Sequence, residues 1–151
     1  MKVCLIGCLP VELGGRVNGG IASHIYELYK NLKLQGVNVS IFSNEIEKPI
    51  SKDVLSYNCK LQQIVYAVFG IVRFRTCKVK GYSIKESLKI LADANRIASI
   101  KNLKETVFHV HSLNNTAAIS CEIANVEYIV TDHAYWQGNK CKGLIKENVK
   151  C

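Results

Sequence analysis

Val3, Cys4, Leu5 and Ile6 form an unbroken apolar run that passes at once into a glycine-bearing loop, Gly7 to Gly20, and then into an amphipathic segment. No other feature restricts the fold so strongly. A strand that is apolar at every position must be covered on both faces, and that is the situation of a parallel sheet with helices on either side. After the loop, Ile21, Ile25, Leu28, Tyr29 and Leu32 recur at helical spacing, so one face of a helix is apolar. Gly36 is placed to end that helix in the left-handed region. Val37, Val39, Ile41 and Phe42 predict the second strand.

The alternation continues along the chain. Residues 44–60 are polar and predict no clear element, and Leu61 to Val72 reads as a β-prone run broken by Gly70. Ser83 and Glu86 have the spacing of a capping box, in which each side chain satisfies a free backbone N–H at a helix start. Ile84, Leu88, Leu91, Ala94 and Ala98 mark a second amphipathic helix ending near Leu103. Thr106 to Val110 predicts a strand, Asn115 to Asn125 a short helix, and Glu127 to Thr131 a last strand. After Trp136 the chain is polar and lysine-rich, with no further strand expected. The expected fold is α/β: a Rossmann-like parallel sheet with helices on both faces, one domain over residues 1–151.

Composition narrows the class. Apolar residues make up 48% and charged residues 21%, which excludes an intrinsically disordered chain. No apolar run approaches the ~20 residues that span a bilayer, and the N-terminus lacks the apolar core and cleavage site of a secretory signal. A cytoplasmic location is the expectation, with peripheral membrane contact as an extension of it. The net charge of +8 favours phosphorylated ligands, an anionic membrane surface or nucleic acid, against the plainer alternative of a solvated basic surface. The basic stretch Arg73, Arg75, Lys78 and Lys80 fits either anionic lipid or a solvated loop. It carries only Phe74 among its charges, too few aromatics for stacking bases, so no nucleic-acid partner is expected. The seven cysteines form no CxxC unit, which excludes a zinc ribbon. Cys4 and Cys121, in apolar surroundings, read as buried thiols of a reducing compartment.

In a parallel sheet, ligands bind at the carboxyl ends of the strands beside helix N-termini, and three such points carry chemistry. The first is Gly14-Gly15 and Gly19-Gly20 ahead of the first helix, where free N–H groups could receive a phosphate or the glycines could serve turns alone. The pattern is neither GxGxxG nor a P-loop. The second is His109, His111 and Ser112, the two histidines sharing one side of a strand. The third is Asp132, His133 and Tyr135 at the end of the last strand. Imidazoles with a carboxylate suit a metal. Asp, His and an aromatic also suit a sugar, by hydrogen bonds and ring stacking, and strand-end histidines can simply bond backbone. His24 faces either ligand or solvent.

With these residues laid out, the chain resembles the N-terminal domain of GT-B glycosyltransferases of the retaining family 4, group 1 type. Residues 1–7 are similar to its opening strand, Asn18-Gly-Gly-Ile-Ala-Ser-His24 with Leu28, Leu32 and Gly36 to its GGxxxH signature, and His109-Val-His-Ser112 with Thr131-Asp-His133 to its paired strand ends. The likeness covers roughly residues 1–44 and 105–136.

The resemblance implies a glycosyltransferase that moves a sugar from a nucleotide-sugar donor to a carbohydrate or lipid-linked acceptor, with this domain as the acceptor half. It implies His133 as the catalytic histidine, Gly19 and Gly20 near the donor diphosphate, and His111 and Ser112 on the acceptor side. His24, Asp132 and Tyr135 join them as substrate-binding candidates. No cofactor and no bound metal are implied. The family's donor-binding domain, with its E-x7-E motif, has no counterpart before Cys151. The expectation is therefore a partner subunit or further domain, an uncovered apolar face, and no turnover by residues 1–151 alone. Two alternatives of other classes stand beside this: a Rossmann-like module that binds a phospholigand or partner without turnover, and a metal-dependent hydrolase built on His109, His111, Asp132 and His133.

Overall fold

The computed structural model describes residues 2–16, 18–112, 116–132 and 149–150. Five parallel strands form the central sheet: β1 (Lys2–Ile6), β2 (Asn38–Ile46), β3 (Val54–Tyr57), β5 (Thr106–Ser112) and β6 (Tyr128–Asp132), in the order β3-β2-β1-β5-β6. The helices are α1 (Gly20–Leu34), α2 (Lys60–Arg73), α3 (Ile84–Ile97) and α4 (Thr116–Ala124). The fold is α/β and Rossmann-like, as the alternation of runs predicts.

Each face of the sheet has its own core. On one, Val3, Leu5, Val39 and Ile41 pack with Leu9, Leu13 and Ile25, so α1 covers that face. On the other, Cys4, Ile6, Phe42, Phe108 and Val110 pack against Ile90, Ala94 and Ile97 of α3 and Ile119, Cys121 and Ile123 of α4. Alternating residues of β1 thus serve both cores, the reason the strand is apolar throughout. Tyr29 donates a 2.8 Å hydrogen bond to Asp53 and Lys33 pairs with the same carboxylate at 2.6 Å, tying α1 to the start of β3.

Four expectations are corrected or refined. Residues 61–72 are not a strand but most of α2. Their β-branched residues suggest β, yet their spacing is helical, and Gly70 is needed because a Cβ there would meet the backbone carbonyl of Leu91 on α3. The polar stretch 44–60 contains β3, whose Tyr57 and Ser56 are buried. The helix expected to end near Leu103 ends at Ile97, and a short 3-10 turn at Leu103–Glu105 leads into β5. A final two-residue strand, β7 (Val149–Lys150), pairs antiparallel with β4 (Lys78–Val79). The capping box at Ser83 and Glu86 is formed, and Gly36 takes the left-handed conformation with φ +75°. Cys4, Cys8, Cys59 and Cys121 are free thiols, whereas Cys77 is disulfide-bonded. Among the described residues no helix is long and apolar enough to cross a membrane.

Candidate functional site

The chain order runs outward from β1 to β3 on one side and from β5 to β6 on the other, so the direction of winding reverses between β1 and β5. A crevice opens at the carboxyl end of such a reversal, because the loops leaving the two strands diverge. Residues that follow β1 and end β5 therefore line the place where a doubly wound sheet binds ligands.

Gly7 is the first residue past β1, and it is tight. A Cβ on it would come within 2.6 Å of Ile25 Cδ1 and 2.8 Å of the His111 carbonyl oxygen. Its absence lets β1, β5 and α1 close on one another. The four glycines further on divide into two pairs. Gly14 has φ +93°, and a side chain on it or on Gly15 would collide with the carbonyls of Lys48 and Leu9 respectively. These two serve the turn. Gly19 and Gly20 have nothing within 4 Å of a built Cβ. They stand open at the start of α1, and Gly19 supplies no side-chain cap. The first amides of α1 therefore lack intrahelical acceptors and face outward with the positive end of the helix dipole.

His24, five residues into α1, reaches toward the end of β5. Its ring centroid lies 5.2 Å from that of His111, which lies 4.0 Å from that of His109. His109 Nε2 is 2.8 Å from Thr131 Oγ1 on the neighbouring strand. Period-two geometry explains the pair on β5, and the parallel register sets His111 opposite Thr131. The result is a row, His24–His111–His109–Thr131, from the exposed His24 through the buried His111 to the half-buried Thr131. Imidazoles donate and accept hydrogen bonds on opposite ring edges, so the exposed end of the row, at His24, can bind hydroxyls or anionic oxygens. Among the described residues no three His, Cys, Asp or Glu side chains converge as a metal ion requires.

Ser112 and Asp132 end their strands directly opposite each other in the register, so the sheet brings the two expected strand ends together. His133 and Tyr135 lie outside the described residues. Two residues of this region have no site role in the sequence reading. Thr131 is one; only the β5–β6 register shows that it meets His109. Glu47, just past β2, is the other, with 4% of its surface exposed. Burial raises its carboxyl above the ordinary carboxylate range, opposed by the Ser43 hydroxyl and by the backbone amide and charge of Arg16 in the glycine loop. It also helps burial to raise the neighbouring Cys8 thiol. A strand read through to Ile46 would have placed Glu47 at the same carboxyl edge as the histidines.

Compared with protein-family models, with curated proteins and with solved structures, the chain finds no match in any of the three.

Proposed function

We propose that this chain is the acceptor-binding half of a glycosyltransferase that uses a nucleotide-sugar donor. The observation that carries the reading is the His24–His111–His109–Thr131 row lying beside the open Gly19–Gly20 helix start, at the winding reversal between β1 and β5. The parts suit the two chemistries that sugar transfer joins. Exposed amides at a helix N-terminus suit the diphosphate of the donor. A row of imidazoles with a hydroxyl suits sugar hydroxyls, each bond fixing an orientation. Transfer needs donor and acceptor held together away from water, since much of the rate comes from fixed geometry. In this reading Gly19 and Gly20 approach phosphate, His24 holds the sugar or acceptor with the buried His111 packed behind it, and Ser112, Asp132 and Tyr135 extend the wall. His133 acts on the transferred group. A carbohydrate or lipid-linked acceptor and a second domain or subunit on the donor side belong to the same proposal; the disulfide at Cys77 speaks against the expected reducing, cytoplasmic setting.

Amide chemical shifts of the 151-residue chain, followed during titration with UDP- and GDP-sugars and with a panel of acceptor sugars, test the reading. Gly20, His24 and His109 should move together and saturably. His24→Ala should weaken that binding by about tenfold, the worth of one good hydrogen bond, and leave thermal stability nearly unchanged because His24 is exposed. Absence of any response at these amides across both panels overturns the proposal. Stoichiometric zinc in protein purified without chelator would favour a hydrolase instead.

A further inference from the structure

The helix α2 presents its apolar side to solvent. Leu61, Ile64, Val65, Val68, Phe69 and Val72 are all exposed, Leu61 at 69% and Phe69 at 62%. They recur at i, i+3, i+4, i+7, i+8 and i+11, one continuous stripe along the helix. The side turned to α3 is lined instead by Gln63, Tyr66, Ala67 and Gly70, with Gly70 against the Leu91 carbonyl. Apolar grooves run along both flanks of the helix, one of about 560 Å³ by Phe69, Val72 and Asn95 and one of about 750 Å³ by Ile64, Val68 and Leu88.

The charge of α2 and of the segment after it has one sign, and on the flank by Ile64 and Val68 the exposed Glu86 of α3 stands with Lys85 and Lys89. From Lys60 to Tyr82 there is no Asp or Glu, while Lys60, Arg73, Arg75, Lys78 and Lys80 are all cationic. Among the described residues none of these five joins an ion pair; the two pairs that form are Lys33–Asp53 and Lys89–Glu45. All five are exposed. The cations sit at the two ends of the stripe and in the segment that follows it, so the rim is net positive around an apolar centre, Glu86 being the one carboxylate that lines either groove.

We propose that α2 and the segment to Lys80 form a docking face for an anionic lipid surface, with α2 lying flat in the interface. An apolar stripe bordered by Lys and Arg is the pattern of an interfacial helix, whose apolar side enters the headgroup boundary while its cations meet lipid phosphate. At fourteen residues, about 21 Å long, α2 is too short to cross a bilayer. A second copy of the chain fits less well, because stacking two such stripes brings two rims of net positive charge together. This inference does not depend on the sugar-transfer reading.

Flotation of the 151-residue chain with vesicles tests it. One set is phosphatidylcholine alone; the other contains about one part in three of phosphatidylglycerol, which should bind at least about tenfold more protein. Raising salt should release it, since rim charges act through a screened field. Val68→Asp and, separately, Arg73→Glu with Arg75→Glu should each lower binding by about tenfold or more, with circular dichroism unchanged. The charge variant lies at and beyond the helix end, so it keeps the test decisive if the aspartate disturbs α2. Equal flotation with both vesicle types, or anionic binding untouched by both variants, overturns the proposal. So does a concentration-dependent dimer that Val68→Asp dissolves in a chain that does not float.

Discussion

The helices α1 and α2 are close relatives by sequence, fifteen and fourteen residues long, each with an apolar stripe at helical spacing and a basic residue in its last turn. In the fold they are opposites. The stripe of α1 lies on the sheet, with Ala22 and Ile25 buried and Ile21, Leu28, Tyr29 and Leu32 packed around them. The stripe of α2 looks outward while its small and polar residues meet α3. Periodicity therefore states that a helix has an apolar side but not what that side faces. The cause lies in connectivity: α1 follows β1 directly and must return over the sheet. On the opposite face α3 and α4 already occupy the core, which leaves α2 a place outside α3.

The largest effect expected from this contrast is on stability. Ile25→Ala empties a fully buried site and should cost about 2–5 kcal/mol. Val68→Ala, at 53% exposure, should change stability by no more than about 0.5 kcal/mol. Denaturant titration of both variants measures the difference, and equal losses would mean that the α2 stripe is covered in solution.

A second contrast lies in the polar contacts behind the two helices. Asp53, beside α1, is held below its ordinary pKa chiefly by Lys33. Asp93 on α3, behind α2, is fully buried, and burial pushes its carboxyl up to about 7 despite the 2.8 Å hydrogen bond donated by Tyr57. The folded chain then binds more protons at Asp93 than the unfolded chain between about pH 4 and pH 7. That contribution to stability is present at low pH and is lost as pH rises through the folded pKa, by on the order of 1 kcal/mol per pH unit. Asp93→Asn keeps an acceptor for Tyr57 and cannot ionise. It should remove this slope and stabilise the protein above pH 7, as unfolding at several pH values would report. An unchanged slope would mean that water reaches Asp93.

The smallest contrast sets two glycines against each other. Gly70→Ala drives a methyl into the Leu91 carbonyl at the α2–α3 contact and should cost about 1–3 kcal/mol. Gly20→Ala points into open space and should leave thermal stability within about 0.5 kcal/mol. Gly20→Val should spare the fold and weaken any phosphate ligand, because its branch fills the room left before α1. Equal stability losses at the two positions would make Gly20 a turn residue only.

Much of this could be read before any fold was known. The apolar run of β1, the α1 stripe, the capping box and the strand–helix alternation state a local need, and burial on two faces is the common answer to it. The pairing of His109 and His111 follows from strand period alone. Other features depend on distant partners. Residues 61–72 offered both β-branched composition and helical spacing, and in the fold they are helix, with Gly70 packed against Leu91 of α3. Thr131 became a partner of His109 only through the β5–β6 register, and His24 joined His111 only because Gly7 lets α1 close on β5. Local sequence thus determined most of the elements, β3 and α2 excepted, and the residue types at their ends, since these follow from backbone sterics and side-chain periodicity. Which face each helix turns inward, and which side chains meet at the winding reversal, belonged to the tertiary structure, because they follow from strand order and close approach between segments up to a hundred residues apart.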